Sequence, residues 1–298
     1  MVSRSRIYVV VATALAPMVF FALAAVLMLT AQEREARERD GLARARAAMS
    51  AVDAHLRGTV TSLGTLAVSK NLEKGDIEAF HQESQRVLLT QPAWENIGLA
   101  SAAKTQLSNA VEAFPKPAPF SPEDDSFRNV LRGAKSGFSN VMKGSAVAQP
   151  TVRVRIPVTY GEEVRYVLSA PLNLKHLSSL LEAQQLPEGW IISLVDSEKQ
   201  VIVRLPAVPP GTLVNQVLRD ELDRARDGWF RGLSLDGVPV YSAHVTSPLS
   251  GWVLVIGIPA DKVEEGERRT YAIIGLGFLL ALALGAFLAW RGVQSLTL

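Results

Sequence analysis

Two stretches of the chain carry no charged residue, and between them apolar positions recur with two different periods. The first charge-free stretch, 7–31, is apolar apart from Thr13 and Thr30 and contains Pro17. Built as a helix at ~1.5 Å per residue it reaches roughly 37 Å, more than the ~30 Å hydrocarbon core of a bilayer. Pro17 is tolerated in a membrane helix and would kink it. The second, 271–290, just covers the core and is bounded by Tyr271 and Trp290, residue types favoured at the membrane interface. A cleaved signal peptide is the alternative for the first stretch, but such h-regions run to only ~7–15 residues before a small-x-small cleavage site. Here Leu29 stands where a small residue is wanted. A buried core helix, the alternative for the second, is disfavoured by so long a charge-free run.

Between the two stretches the period is first helical. Leu42, Met49, Leu56 and Leu63 are spaced by seven, and Ala45, Val52, Thr59 and Leu66 form a second series offset by three. This a/d pattern predicts one long amphipathic stalk helix. Two readings stay open: the stripe is the seam of a parallel dimer, or it packs on the chain's own globular part. Gly75-Asp76 is a turn and N-cap signal, and a helix over 77–90 follows, stopped by Pro92.

The period then becomes two. Strands are expected over 94–100, 106–110 and 138–142, with helical turns over 127–133 after the Pro-rich loop 115–122. The run 151–159 alternates, with Val152, Val154, Ile156 and Val158 on one side and Arg153, Arg155 and Pro157 on the other. Gly161 turns it into a hairpin with 164–172, and a helix over 174–184 follows. The pattern then restarts. Strands 190–195 and 200–204, a helix over 214–226, and strands 228–233, 238–245 and 251–258 complete a second antiparallel set, with Asp236-Gly237 as a hairpin turn. Two successive α+β modules result, divided near Leu186-Pro187.

Composition removes several functions. The net charge of +2 carries no basic excess for nucleic acid, and with no cysteine there is no disulfide framework, thiol nucleophile or thiolate metal site. The four histidines, His55, His81, His176 and His244, show no metal-ligand spacing, and no phosphate-binding or nucleophile-elbow motif occurs. Asp124-Asp125 lies in the Pro-rich loop, where paired carboxylates are ordinarily solvated. Neither catalysis, a cofactor nor a metal is expected within this chain. Charge does not fix orientation. Arg4, Arg6 and Arg291 place both ends in the cytoplasm, while Arg34, Arg37, Arg39, Arg44, Arg46, Arg268 and Arg269 pull the other way.

Several segments carry a resemblance. The run SAPLNLKHLSSLL closing 152–174 resembles the last strands and exit helix of a membrane-distal sensor module. GWIISLVDSEKQVIVR looks like the opening hairpin of a membrane-proximal one, and Val240-Tyr241 through SPLSGWVLVIGIP is similar to its closing strands. Over about 32–270 the chain thus resembles the double Cache family of extracytoplasmic sensor domains, with tandem PAS-like modules. The fold implied is α+β, with two transmembrane helices flanking a tandem PAS-like domain that opens on a long helix. The expected order is a cytoplasmic N-terminus 1–6, transmembrane helix 7–31, stalk helix 32–75, distal module 76–186, proximal module 187–262, exit and second transmembrane helix 263–290, and a cytoplasmic stub 291–298. By the resemblance the modules face the periplasm of a bacterial inner membrane and signal as a homodimer to a histidine kinase, a chemotaxis receptor or a diguanylate cyclase. SPLSGW and LPEGW are most like the kinase members. No phospho-acceptor histidine, ATP site, cyclase motif or HAMP-type proline follows the second span, so a longer polypeptide or a separate output partner is expected. The Arg-x-Trp-Tyr signature of amino-acid-binding members is missing from 127–138, which has Arg128 and Arg132 without the aromatic pair.

The sharpest candidate chemistry is therefore ligand binding. Arg153 and Arg155 share one strand face, and two guanidinium forks pointing the same way suit a carboxylate or phosphate. Trp94, Phe138, Tyr160 and Tyr166 are the aromatic residues placed to line such a pocket, and a solvated face is the competing reading. A scaffolding protein whose Cache-like domain binds a protein partner is the alternative function. A sizeable distal pocket would favour the sensor, a filled core the scaffold.

Overall fold

The computed structural model describes residues 4–114, 118–119, 125–143, 149–265, 272–277, 279–280, 283, 285 and 287; for 4–19, 22–23, 118–119 and 143 the backbone alone is described. Helix α1 (Arg4–Ala67) covers the expected stalk, 32–75, only as far as 67. Its Ala, Leu, Arg and Glu content favours helix, and Glu33–Arg37 and Glu35–Arg39 are i,i+4 pairs of the orientation that supports one. Among the described residues no helix is long and apolar enough to cross a membrane. Much of the expected spans 7–31 and 271–290 lies outside the described side chains. Residues 1–40 with 259–298 form one compact unit, and 41–258 form another.

Within the 41–258 unit, the heptad stripe of α1 is covered. Ala45, Met49, Val52, Leu56, Thr59, Leu63 and Leu66 are buried against the chain's own domain. Each large apolar side chain so buried contributes about 1.5–3 kcal/mol. Of the two open readings, packing on the globular part is the one realised along 45–66. Ser69 caps α2 (Lys70–Lys74), and Gly75 closes it in the left-handed region at φ 75°. Asp76 then caps α3 (Ile77–Leu88) by accepting from Ala79 N at 3.0 Å.

The first sheet uses β1 (Gly98–Ser101), β2 (Thr105–Asn109), β3 (Ala118–Pro119), β4 (Gly137–Phe138), β7 (Arg153–Tyr160) and β8 (Glu163–Pro171), in the order β3-β2-β1-β8-β7-β4. β5 (Met142–Lys143) and β6 (Pro150–Thr151) pair separately. Helices α4 (Asp125–Leu131) and α5 (Leu174–Glu182) flank the hairpin in sequence. The second sheet is β10-β9-β13-β12-β11, from β9 (Ile191–Val195), β10 (Val201–Leu205), β11 (Asp227–Leu233), β12 (Pro239–Thr246) and β13 (Val253–Pro259), with α6 (Gln216–Arg224) between β10 and β11. Apart from the edge strand β3, both sheets run in the same order: second strand, first, last, last but one, third. The chain has thus built one antiparallel plan twice, as the restarting pattern implied.

Both faces of the first sheet are covered. On one, Leu99, Ile156 and Leu168 stand opposite one another across β1, β8 and β7 and are buried. Trp94, bridged to Leu172, sends its Nε1 to Thr59 Oγ1 of α1 at 3.3 Å, and His81 of α3 meets Ser108 of β2 at 2.9 Å, so this face meets α1 and α3. On the other, Phe127 and Val130 of α4 pack with Ala100 and Val167.

Candidate ligand-binding site

The α4 face holds the most unusual side chain of the domain. β7 pairs Arg155 with Ser169 on one side and Gly137 on the other, setting a guanidinium in mid-sheet. Arg155 is completely buried. Its Nε donates to Ser169 Oγ at 3.2 Å, an Nη donates to Ser126 Oγ, and its guanidinium carbon lies 5.7 Å from the centre of the Phe127 ring. The competing reading, a solvated arginine face, therefore fails at Arg155, because α4 lies across it. Only Arg153 and Pro157 remain half exposed.

β4 lets α4 approach this closely. A Cβ at Gly137 would stand 2.5 Å from the Ser126 carbonyl oxygen and 3.0 Å from Val130 Cγ2. The glycine thus allows helix and strand to touch backbone to side chain. Beside this contact opens a cleft of about 420 Å³, lined by Ser126 and Asn129 of α4, by Arg132, Ala134, Ser136, Gly137 and Phe138, and by Leu249 and Ser250 of the second module. Among the described residues, no group of three His, Cys, Asp or Glu side chains could hold a metal.

The sheet separates the residues expected to share a site. Arg155 lies under α4, and Phe138 lines the cleft. Tyr166 pairs with Val158 and Ser101, in phase with Leu168, and so belongs with Trp94 to the face that meets α1 and α3. The expected gathering of Trp94 and Tyr166 around the arginines does not occur, since side-chain parity along β8 and the bridge to Leu172 turn both away. Arg153 is not among the residues that line the cleft; its charge opposes the rise that burial imposes on the Glu95 carboxyl. Sequence reasoning missed Ser126, Asn129, Arg132 and Gly137. The expected helical turn over 127–133 signalled a helix but not that it would cover β7.

A second arrangement joins the cleft to the proximal module. The segment after β4 is held by Asp196, at the β9–β10 turn. One carboxylate oxygen of Asp196 accepts from Val141 N at 2.7 Å, and the other accepts from Glu198 N at 2.9 Å and Gln200 N at 2.8 Å. Burial pushes this carboxyl above the ordinary range, against the pull of those amides. Ser197 N and Oγ both donate to Asn140 Oδ1. Trp252 Nε1 donates to the Ser139 carbonyl at 3.3 Å, with the Phe138 ring edge-on at 6.3 Å. Ser139 Oγ accepts from Arg153 N at 2.8 Å. Residues 138–141 thus touch the cleft, β7 and the second module at once.

No family model and no curated protein matches the chain. Solved structures do. The extracellular domain of a putative histidine kinase, rpHK1S-Z16, matches at TM-score 0.61 and 16% identity, over 74% of this chain and 95% of that one. The ligand-binding domain of the Pseudomonas fluorescens chemoreceptor CtaA, in complex with L-isoleucine, matches at 0.60 and 14%, over 77% and 94%. The sensor domain of the V. cholerae histidine kinase DctB matches at 0.54 and 12%, over 76% and 98%.

Proposed function

We propose, from the premise that the chain has the double Cache fold, that it is the sensing part of a bacterial membrane receptor whose paired modules bind a small anionic ligand in the periplasm. The observation that carries this reading is Arg155: a wholly buried guanidinium beside an open, polar-lined cleft. Stability alone explains it poorly, because replacing buried ions by well-packed apolar groups is often neutral or stabilising. An arginine set beside a cleft suits a carboxylate, the group borne by the isoleucine in one structural neighbour. Arg155 and Arg153 set the positive field, while Ser126, Asn129 and Arg132 supply donors and Phe138 an apolar wall. The absent aromatic signature points to a carboxylate without an α-ammonium group. The space under α4 is filled by Phe127 and Val130, but the adjoining cleft is roomy enough to favour a small ligand over a scaffolding role.

Membrane anchoring through 7–31 and 271–290 belongs to the same proposal. Phe20, Phe21, Leu27, Met28, Leu29, Ile273, Leu276, Leu279, Leu280 and Phe287 are all exposed, as lipid-facing side chains would be. Both ends then lie in the cytoplasm, and a histidine-kinase-type output responds to the second span. A homodimer would use the outer face of α1, where Ala43, Ala47, Ser50, Ala54, Gly58, Thr61 and Thr65 form an exposed stripe of small residues.

The test is thermal unfolding of the whole chain in lipid nanodiscs against small carboxylates, amino acids and phosphates. A ligand at ~100 times its dissociation constant stabilises by about 2.7 kcal/mol. The shift should be carried by carboxylates and fall at least tenfold in affinity with Arg132→Ala or Arg155→Lys. No shift across the panel would sink the small-ligand reading.

A further inference from the structure

Two histidines distant in sequence meet in space. His55 of α1 and His176 of α5 stand with ring centres 5.0 Å apart and planes inclined at 41°. The Nε2 of His55 is buried and has no hydrogen-bond partner. Elsewhere His81 Nδ1 has Ser108 Oγ at 2.9 Å and His244 Nε2 has the Ala225 carbonyl at 3.1 Å, although His244 Nδ1 is likewise buried without a hydrogen-bond partner. A buried polar atom left without a partner asks for a reason, and an absent ion is one of the standard ones.

The geometry fits one. Two imidazoles bound to a single ion at ~2.0–2.1 Å metal–nitrogen, at a tetrahedral angle, place their ring centres about 5 Å apart. Both side chains are partly exposed, which leaves a path for an ion and for waters to complete its coordination. The donor set is nitrogen alone, since no third His, Cys, Asp or Glu joins the pair among the described residues. Such a set suits borderline ions and excludes calcium and magnesium, which require several oxygens.

We propose that His55 and His176 form a two-histidine site for a borderline divalent transition-metal ion, Zn²⁺ or Cu²⁺, clipping the stalk helix α1 to α5. Two protein donors give a site of modest affinity that fills and empties with the free ion concentration. α5 leads from the last strand of the distal sheet to the first of the proximal one, so the clip fixes the connection between modules to the stalk. This site stands apart from the cleft beside Arg155, and neither proposal depends on the other.

The whole chain in lipid nanodiscs, stripped with a chelator, is titrated with Zn²⁺ and separately with Ca²⁺, and read by calorimetry and thermal unfolding. One Zn²⁺ per chain is expected, with a raised unfolding midpoint and no response to Ca²⁺. His55→Gln and His176→Gln should each weaken Zn²⁺ binding at least tenfold. Cu²⁺ bound to the unmodified chain should show electron paramagnetic resonance coupling to two imidazole nitrogens, reduced to one in His176→Gln. That variant, at a half-exposed ring, carries the test should His55→Gln fold poorly. No uptake at millimolar Zn²⁺, or binding unchanged in His176→Gln, overturns the proposal.

Discussion

At the scale of single residues, Gly137 and His244 make the most direct predictions. An alanine at 137 would drive its Cβ against the Ser126 carbonyl, and a backbone atom cannot swing aside as a side chain can. Gly137→Ala should therefore cost about 1–3 kcal/mol in denaturant unfolding and lift α4 from β4. His244 is buried, and burial pulls its imidazole below the ordinary value, against the Ala225 carbonyl and the charges of Asp227 and Glu221. Its folded state resists a proton that the unfolded chain accepts. Its contribution is thus complete above about pH 6.5 and is lost as pH falls through the lowered folded value. His55, lowered by burial and by His176, adds a loss of the same sign. The unfolding midpoint should fall on acidification from pH 7 to 5, and more shallowly in His244→Gln; parallel curves would remove this account.

Among elements, the link between modules is the feature to break. Asp196→Asn keeps the oxygen that accepts from Glu198 and Gln200 but replaces the acceptor facing Val141 with a donor. Hydrogen exchange at the Val141 amide should accelerate by an order of magnitude or more, with the amides of 198 and 200 still protected. Equal acceleration at all three would mean that the turn itself had collapsed. Most elements could be read in advance, because period-two runs such as 151–159 and the capped turn at Gly75-Asp76 carry their structure locally. What covers an element could not. The alternation on β7 showed that Arg153 and Arg155 share a face, but a seven-residue helix distant along the chain decides that Arg155 is dry. For the same reason Trp94 and Tyr166, plausible from sequence proximity, fall on the far side of the sheet, and His55 meets His176. The heptad stripe also left two partners open, since periodicity reports an apolar face and not its occupant.

For the whole molecule, the covered stripe of α1 constrains assembly. With 45–66 occupied by the chain's own modules, a dimer built along α1 must use the opposite face. A single cysteine at Ala54 is clean in a chain that has none. Under mild oxidation in nanodiscs Ala54→Cys should form a disulfide-linked dimer, and Ala48→Cys, whose side chain is buried, should not. No linkage at 47, 50, 54 or 58 would show that this face is not an interface.

The clasp at Asp196 also bears on how such a protein can change over generations. Its partner on the distal side is a main-chain amide, as are two of its own neighbours, and the Ser139 carbonyl that receives Trp252 is main chain too. Side chains at Val141 and Met142 can therefore drift without breaking the main-chain part of this link, whereas Asn140, which accepts from Ser197, cannot. Divergence should concentrate there and around α4, while a carboxylate at 196 and an indole at 252 persist. A protein built this way can change what its cleft holds and keep its two modules fastened.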